Sequence, residues 1–186
     1  MAMADARMTA EDYFDAVAGV REPTQLIDGV IVVNQPRYRH QRAAGLIYAS
    51  LLAWVGSPRG RGVVSLALDV VVDRYDVYAP DVLWVADADR VRPDEPLAGL
   101  PDIAVEVRSP STWRHDLGVK RSRYEQHGLP ELWLVDTAAG SVRVLRRSTP
   151  ACPRFDVSLD LAASDALESP LLPGYSLPVA GILDDE

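Results

Sequence analysis

The chain has 186 residues, of which 48% are hydrophobic and 25% charged, a length and balance that suit one globular domain and exclude disorder throughout. No apolar run approaches the roughly 20 residues of a membrane span, and the opening MAMADARMTAEDYF carries acids where a secretory leader has a basic end, so a cytoplasmic protein with no membrane role is expected. The lone Cys152 excludes disulfide scaffolds and thiol-based zinc sites, and a net charge of −8 argues at first against a nucleic-acid partner.

Thr9 and Asp12 ahead of Tyr13, Phe14 and Val17 read as an N-capped short helix that stops near Gly19. Two strand pieces follow, Leu26 and Ile27 before Asp28-Gly29 and Val30 to Val33 after it. Across 39–55, Leu46, Ile47, Leu51, Leu52 and Trp54 recur at helical spacing, and Gly56-Ser57-Pro58-Arg59-Gly60 ends that helix. Residues 63–72 are β-branched and almost continuously apolar, as in one strand covered on both faces. Further strands are predicted at 80–86 and 100–108. The second alternates Ile103, Val105 and Val107 with Asp102, Ala104, Glu106 and Arg108, which predicts one core face and one charged face.

The loop Ser109-Pro110-Ser111-Thr112 leads to a helix from roughly Arg114 or Asp116 to His127, stopped by Gly128 and Pro130. Strands at 132–135 and 142–145 form a hairpin around 136–140, and 153–159 is strand-like. The Pro-rich end, from about 160 to 186, is expected to wrap the domain as an irregular or briefly extended tail. No repeat or linker divides the chain, so the expectation is a single mixed α/β domain with a central sheet flanked by helices.

Charge is segregated along this order. Residues 36–62 hold Arg37, Arg39, Arg42, Arg59 and Arg61 with no acid, and residues 105–147 hold eight bases against five acids. Removing these 13 bases and 5 acids from the totals of 19 and 27 leaves 6 against 22 on the remainder. The five arginines suit a phosphate-contacting surface, and separate solvated faces are the competing explanation.

A charged residue on the inner part of a strand is costly unless it is paired, metal-bound or facing a cleft, which singles out Glu106. If 80–86 and 101–108 pair as an antiparallel hairpin, positions summing to about 187 lie opposite, so Asp81 faces Glu106 while Asp102 lies about 13 Å away along the ladder. Two adjacent carboxylates are tolerable when a divalent cation sits between them, and oxygen ligands of this kind suit Mg²⁺ or Mn²⁺ completed by a substrate phosphate. Metal-assisted phosphodiester hydrolysis is the chemistry that follows. Arg108, at i+2 from Glu106, and Lys120 are the candidate cations. Lys120 is preferred because a desolvated lysine can lose its proton and assist a water, and Asp116 stands at i−4 from it; an exposed helical ion pair is the competing reading.

The segments QLIDGVIVV, HQRAAGLIYASLLAWV, APDVLWV, GLPDIAVEVRSPSTWRHDLGVKRSRYEQHGLPELWLVD and SPLLPGYSL, in order and over nearly the whole chain, resemble the Uma-type restriction endonucleases of the PD-(D/E)XK nuclease superfamily. That resemblance implies a restriction endonuclease-like core, Mg²⁺ or Mn²⁺ as cofactor, duplex DNA as partner and the option of a homodimer. It implies Asp81 and Glu106 as metal-binding carboxylates, the carbonyl of Val107 as a further ligand, and Lys120 as the family lysine displaced onto the helix. Asp116 and Tyr124 match supporting positions, and His40 matches a histidine of the early helix with no assigned role. Two positions depart from the pattern: Gln25 replaces an acidic residue of the metal site, and Arg108 stands where the superfamily motif places its lysine. A catalytically silent binding or assembly module is the alternative that these departures favour.

Overall fold

The computed structural model describes residues 7–110 and 112–183, so Ser111, the first six residues and residues 184–186 of the tail lie outside the described residues. Helix α1 (Ala10–Val17) carries the predicted capping box, Asp12 N–H donating to Thr9 Oγ1 and Thr9 N–H to Asp12 Oδ2, each at 3.2 Å. Strands β1 (Thr24–Ile27) and β2 (Val30–Val33) form a hairpin through Asp28 and Gly29, whose φ angles of 53° and 76° are those a two-residue turn between twisted strands requires. Helix α2 (Tyr38–Val55) buries Ala43, Ala44, Ile47, Leu51 and Trp54 along one face.

The apolar run 63–72 is two strands rather than one. β3 (Val63–Leu66) and β4 (Val70–Asp73) belong to different sheets, and the chain crosses between them at Ala67, in the left-handed region at φ 44°. Val64 of β3 and Val70 and Val72 of β4 are buried and the residues between them stay mostly apolar, so the run looks continuous and hides the crossing. β5 (Asp76–Tyr78), β6 (Val82–Val85), β7 (Leu97–Ala98) and β8 (Ile103–Val107) follow. All five residues of β8 are buried, so its expected charged face is also an interior face.

The helix predicted near 114–127 has three parts: a single turn α3 (Trp113–His115), a π-helical turn over Asp116–Lys120, and α4 (Arg121–Gln126). β9 (Glu131–Asp136), β10 (Ser141–Arg146) and β11 (Val157–Ala162) complete the large sheet. The C-terminal segment is more ordered than its prolines suggest. β12 (Ala166–Leu167) pairs with β13 (Leu177–Pro178), and α5 (Val179–Leu183) sends Val179 and Ile182 into the core.

The six-stranded sheet runs β11-β10-β9-β8-β6-β3 and the five-stranded one β2-β1-β5-β4-β7. Among the described residues of the larger sheet, only β8 and β9 are parallel neighbours. Parallel neighbours cannot be joined by a tight turn, so the chain from 108 to 130 must cross over through a helix. This is the mixed α/β architecture predicted, in layers. One core packs α2 and α5 on the large sheet through Ile47, Leu51, Trp54, Trp84, Trp133 and Ile182. The other lies between the opposite face of that sheet, the smaller sheet and α4, around Val70, Tyr78, Leu83, Tyr124 and Leu134. Among the described residues no helix is long and apolar enough to cross a membrane.

Glu131, fully buried at the start of β9, accepts from Trp133 Nε1 at 2.6 Å and from Ser169 Oγ at 2.8 Å, which ties the C-terminal segment to the sheet. Burial pushes its carboxyl above the ordinary range, against the pull of these two donors and of Arg146, 3.9 Å away. A carboxyl raised in the fold contributes stability below its unfolded value and loses it as pH rises through the folded one. Glu131→Gln keeps an acceptor for Trp133 and a donor for Ser169. The variant is expected to melt higher than the native protein at pH 8 by about 2–4 °C, the equivalent of about 1 kcal/mol, and to show no gain at pH 4. Equal melting temperatures at both pH values would contradict this account.

Candidate active site at the end of the central sheet

β6 and β8 pair Val82 with Val105, Leu83 with Ala104 and Trp84 with Ile103, the predicted register. One further step sets Asp81 beside Glu106, where the Val107 N–H donates to Asp81 Oδ2 at 2.7 Å. Asp102 lies at the far end of the pair and accepts from the Ala86 N–H at 2.8 Å. Of the two Pro-Asp dipeptides, only Pro80-Asp81 reaches Glu106.

Glu106 is 3% exposed and Lys120 is fully buried. Lys120 Nζ lies 2.7 Å from Glu106 Oε1 and 3.1 Å from Asp116 Oδ1, and Tyr124 donates its hydroxyl proton to Glu106 Oε1 at 2.7 Å. The π-helical turn spans Asp116 to Lys120 and buries both of its ends, a local widening of the kind that recurs at functional sites. Thr112 Oγ1 donates to Asp116 Oδ2 at 3.1 Å and shares a 2.8 Å hydrogen bond with Ser109 Oγ, so the Ser-Pro-Ser-Thr loop orients the aspartate. Tyr78, from the other sheet, closes the pocket, its ring 5.4 Å from Lys120 Nζ and edge-on to Tyr124.

Burial pushes the Glu106 carboxyl up to about 8, with Asp116 and Asp81 adding to the rise and Lys120 opposing it. For Lys120, burial favours loss of the proton, but Asp116 and Glu106 outweigh it and hold the ammonium above its usual range. The competing reading of an exposed helical ion pair is thereby corrected, because the Asp116–Lys120 pair is buried.

His40 spans two of the predicted ligands. Its Nε2 lies 3.0 Å from Asp81 Oδ1 and its Nδ1 lies 3.0 Å from the carbonyl oxygen of Val107. Both neighbours are acceptors, so a ring that bonds to both must donate from both nitrogens. Burial lowers the affinity of the imidazole for its second proton, and the hydrogen bond and charge of Asp81 together with the Val107 carbonyl more than reverse this. Among the described residues, no group of three or more His, Cys, Asp or Glu side chains is arranged to hold a metal ion. Two carboxylates and a carbonyl do suit a hard cation of the Mg²⁺ type, which keeps several waters and takes its remaining ligands from substrate phosphate. Three acids converge at this end of the sheet, Glu106 and Asp116 on Lys120 and Asp81 on His40.

Other predicted residues lie elsewhere. Arg108 turns away from Glu106, its Nη1 donating to both oxygens of Asp136 at 2.8 and 2.9 Å. Gln25 is buried on β1 and accepts from the Ala79 N–H at 3.3 Å, which braces the segment entering Asp81. The five arginines do not form one surface. Arg37, Arg39 and Arg42 stand at the start of α2, while Arg59 and Arg61 lie past its end, about 27 Å along the axis of an 18-residue helix. Arg61 lies over Trp84 and bonds the Leu171 carbonyl at 3.5 Å, and Arg59 rests against Gly174. A groove of about 580 Å³ opens beside His40, lined by Arg37, Tyr38, Arg39, Arg108 and Pro110.

Sequence reasoning missed Tyr78, Asp76 and Thr112. Asp76 is fully buried and accepts from the Tyr78 hydroxyl at 2.8 Å and from the Asp28 N–H at 2.7 Å, and Arg123 Nε of α4 lies 3.2 Å from it. It thereby fastens the smaller sheet to the helix that follows Lys120. The Ser109-to-Thr112 spacing was a usable signal for the loop; no local signal marks Tyr78 or Asp76.

A crystal structure described as a "putative nuclease belonging to DUF820", from Anabaena variabilis ATCC 29413, superposes with a TM-score of 0.71 at 17% identity, covering 91% of this chain and 96% of that one. At that identity the likeness concerns the fold, which is restriction endonuclease-like. No curated protein matches the chain. The Uma2 family profile, described as "Putative restriction endonuclease", matches residues 10–180. With the match running from α1 into α5, the chain belongs to the Uma2 family.

Proposed function

We propose that the chain is a divalent-metal-dependent nuclease that hydrolyses phosphodiester bonds in DNA. The observation that carries the proposal is the contact of Lys120 Nζ with Glu106 at 2.7 Å, beside a register that sets Asp81 next to Glu106. Asp81, Glu106 and the Val107 carbonyl are the residues that would hold Mg²⁺ or Mn²⁺. Polarisation of a phosphoryl oxygen and activation of a water are the chemistry a divalent cation supplies. Lys120, held protonated by Asp116 and Glu106, acts as a fixed positive charge behind Glu106 and not as the base. Tyr124 and Asp116 hold Glu106 and Lys120 in place, and His40 holds Asp81 against the strand end. Arg37, Arg39 and Arg42 supply phosphate contacts near the groove. A duplex cut on both strands needs two such sites, which a homodimer would provide.

Gln25 favours a second reading, a silent DNA-binding module, because it serves as a backbone brace where an acid would add a metal ligand. Calorimetric titration of the native protein with Mn²⁺, together with nicking of supercoiled plasmid in Mn²⁺ or Mg²⁺, separates the two. The nuclease gives binding heat and nicks the plasmid, with neither surviving EDTA. Absence of heat would sink metal dependence, and DNA binding without nicking would leave the silent module.

A further inference from the structure

Tyr38 is 74% exposed, more than any other large apolar side chain among the described residues. It is the first residue of α2 and lines the groove between Arg37 and Arg39. Two residues later, His40 touches Asp81 and the Val107 carbonyl. Arg37, the extended N-cap, precedes the ring and Arg39 follows it in the first turn, so basic residues flank it in sequence while the ring itself stays largely open to solvent.

An uncovered aromatic ring in a groove is a cost that a ligand with a π-face removes, and guanidinium groups on both flanks select a ligand with anions on both sides of that face. A nucleotide strand has this pattern, a base between two phosphates. A closed duplex does not present it, because its bases are stacked inside and only backbone meets a protein at phosphate distance. We propose that Tyr38 is a stacking platform for one unpaired base next to the cleaved bond, with Arg37 and Arg39 on the adjoining phosphates. The preferred substrate is then single-stranded or locally opened DNA rather than closed duplex. The proposal rests on the nuclease reading of the same site and narrows its substrate.

The test is fluorescence anisotropy with a labelled oligothymidine and a labelled closed duplex, in Ca²⁺ and low salt. The native protein binds the single strand more tightly than the duplex. Tyr38→Ala lowers single-strand affinity on the order of tenfold and leaves duplex affinity unchanged, since stacking on an aromatic side chain is lost only for an unpaired base. Tyr38→Phe keeps native affinity because stacking does not need the hydroxyl. A native-like Tyr38→Ala on the single strand, or an equal loss on both DNAs, would overturn the stacking role while leaving the nuclease reading intact. A native protein that binds neither DNA would overturn both.

Discussion

Replacing Lys120 with methionine is expected to destabilise the fold by about 3–5 kcal/mol, the cost of removing one partner from a buried ion pair. The substitution preserves volume but leaves Glu106 and Asp116 facing each other, both nearly sealed from solvent. The loss depends on pH in a definite sense. Without the ammonium, the Glu106 carboxyl, already pushed up to about 8 by burial, rises further. The variant fold therefore tolerates protonated Glu106 and penalises the ion, so the deficit grows as pH rises and shrinks toward pH 5. Urea denaturation of both proteins at pH 5.5 and pH 8.5 measures it. A loss below about 1 kcal/mol, or one equal at the two pH values, would show that Lys120 is not the counter-charge of this pocket. A parallel loss of nicking, at a temperature where the variant remains folded, is expected from the missing positive charge.

Asp81→Asn and Glu106→Gln are expected to retain the fold and to lose metal-dependent nicking by at least about 100-fold, since even groups behind a metal ligand change affinity or activity by 10–100-fold. In the first variant the amide oxygen can still accept from the Val107 N–H, and in the second it can still accept from the Tyr124 hydroxyl, so both hydrogen bonds at the strand end survive. Neither amide supplies the anionic oxygen a hard cation requires. Mn²⁺ calorimetry and thermal melts on the same preparations check the two halves of the prediction. Nicking that persists in both variants would place the catalytic carboxylates elsewhere, and a collapse of melting temperature would make their role structural.

The parts of this site legible in the sequence are those fixed by local chemistry or by a short register. Thr9 and Asp12 announce a cap because their bonds span three residues. Asp81 and Glu106 could be set opposite each other because β6 and β8 are neighbours in a ladder whose period is two. The early helix was visible from the spacing of Ile47, Leu51 and Trp54. What stayed hidden depends on partners far away in the chain. Arg108 looks like a site cation until Asp136, 28 residues on, takes it. Gln25 reads only as an amide in place of an acid until Ala79, 54 residues away, is seen to donate to its oxygen. The crossing at Ala67 is invisible because Ala67 and Leu68 continue the apolar run. The π-helical turn shares its residue types with an ordinary helix. The arginines count as one surface in sequence, whereas the length of α2 separates them.

The crossing of the chain between two sheets has a kinetic consequence. The hairpins β1–β2 and β9–β10 join neighbours in sequence and can close early, since short loops cost little entropy. His40 and Val107 are 67 residues apart, and Asp28 and Arg123 are 95 apart. Contacts of that span form only after the intervening strands have docked, when most of the ordering cost has been met. Lys120 is enclosed from one side by β8 and from the other by Tyr78 of the second sheet. Asp116 and Lys120, four residues apart, can therefore meet within their own helical turn, whereas the enclosure of the pair by Tyr78 waits for the second sheet to dock.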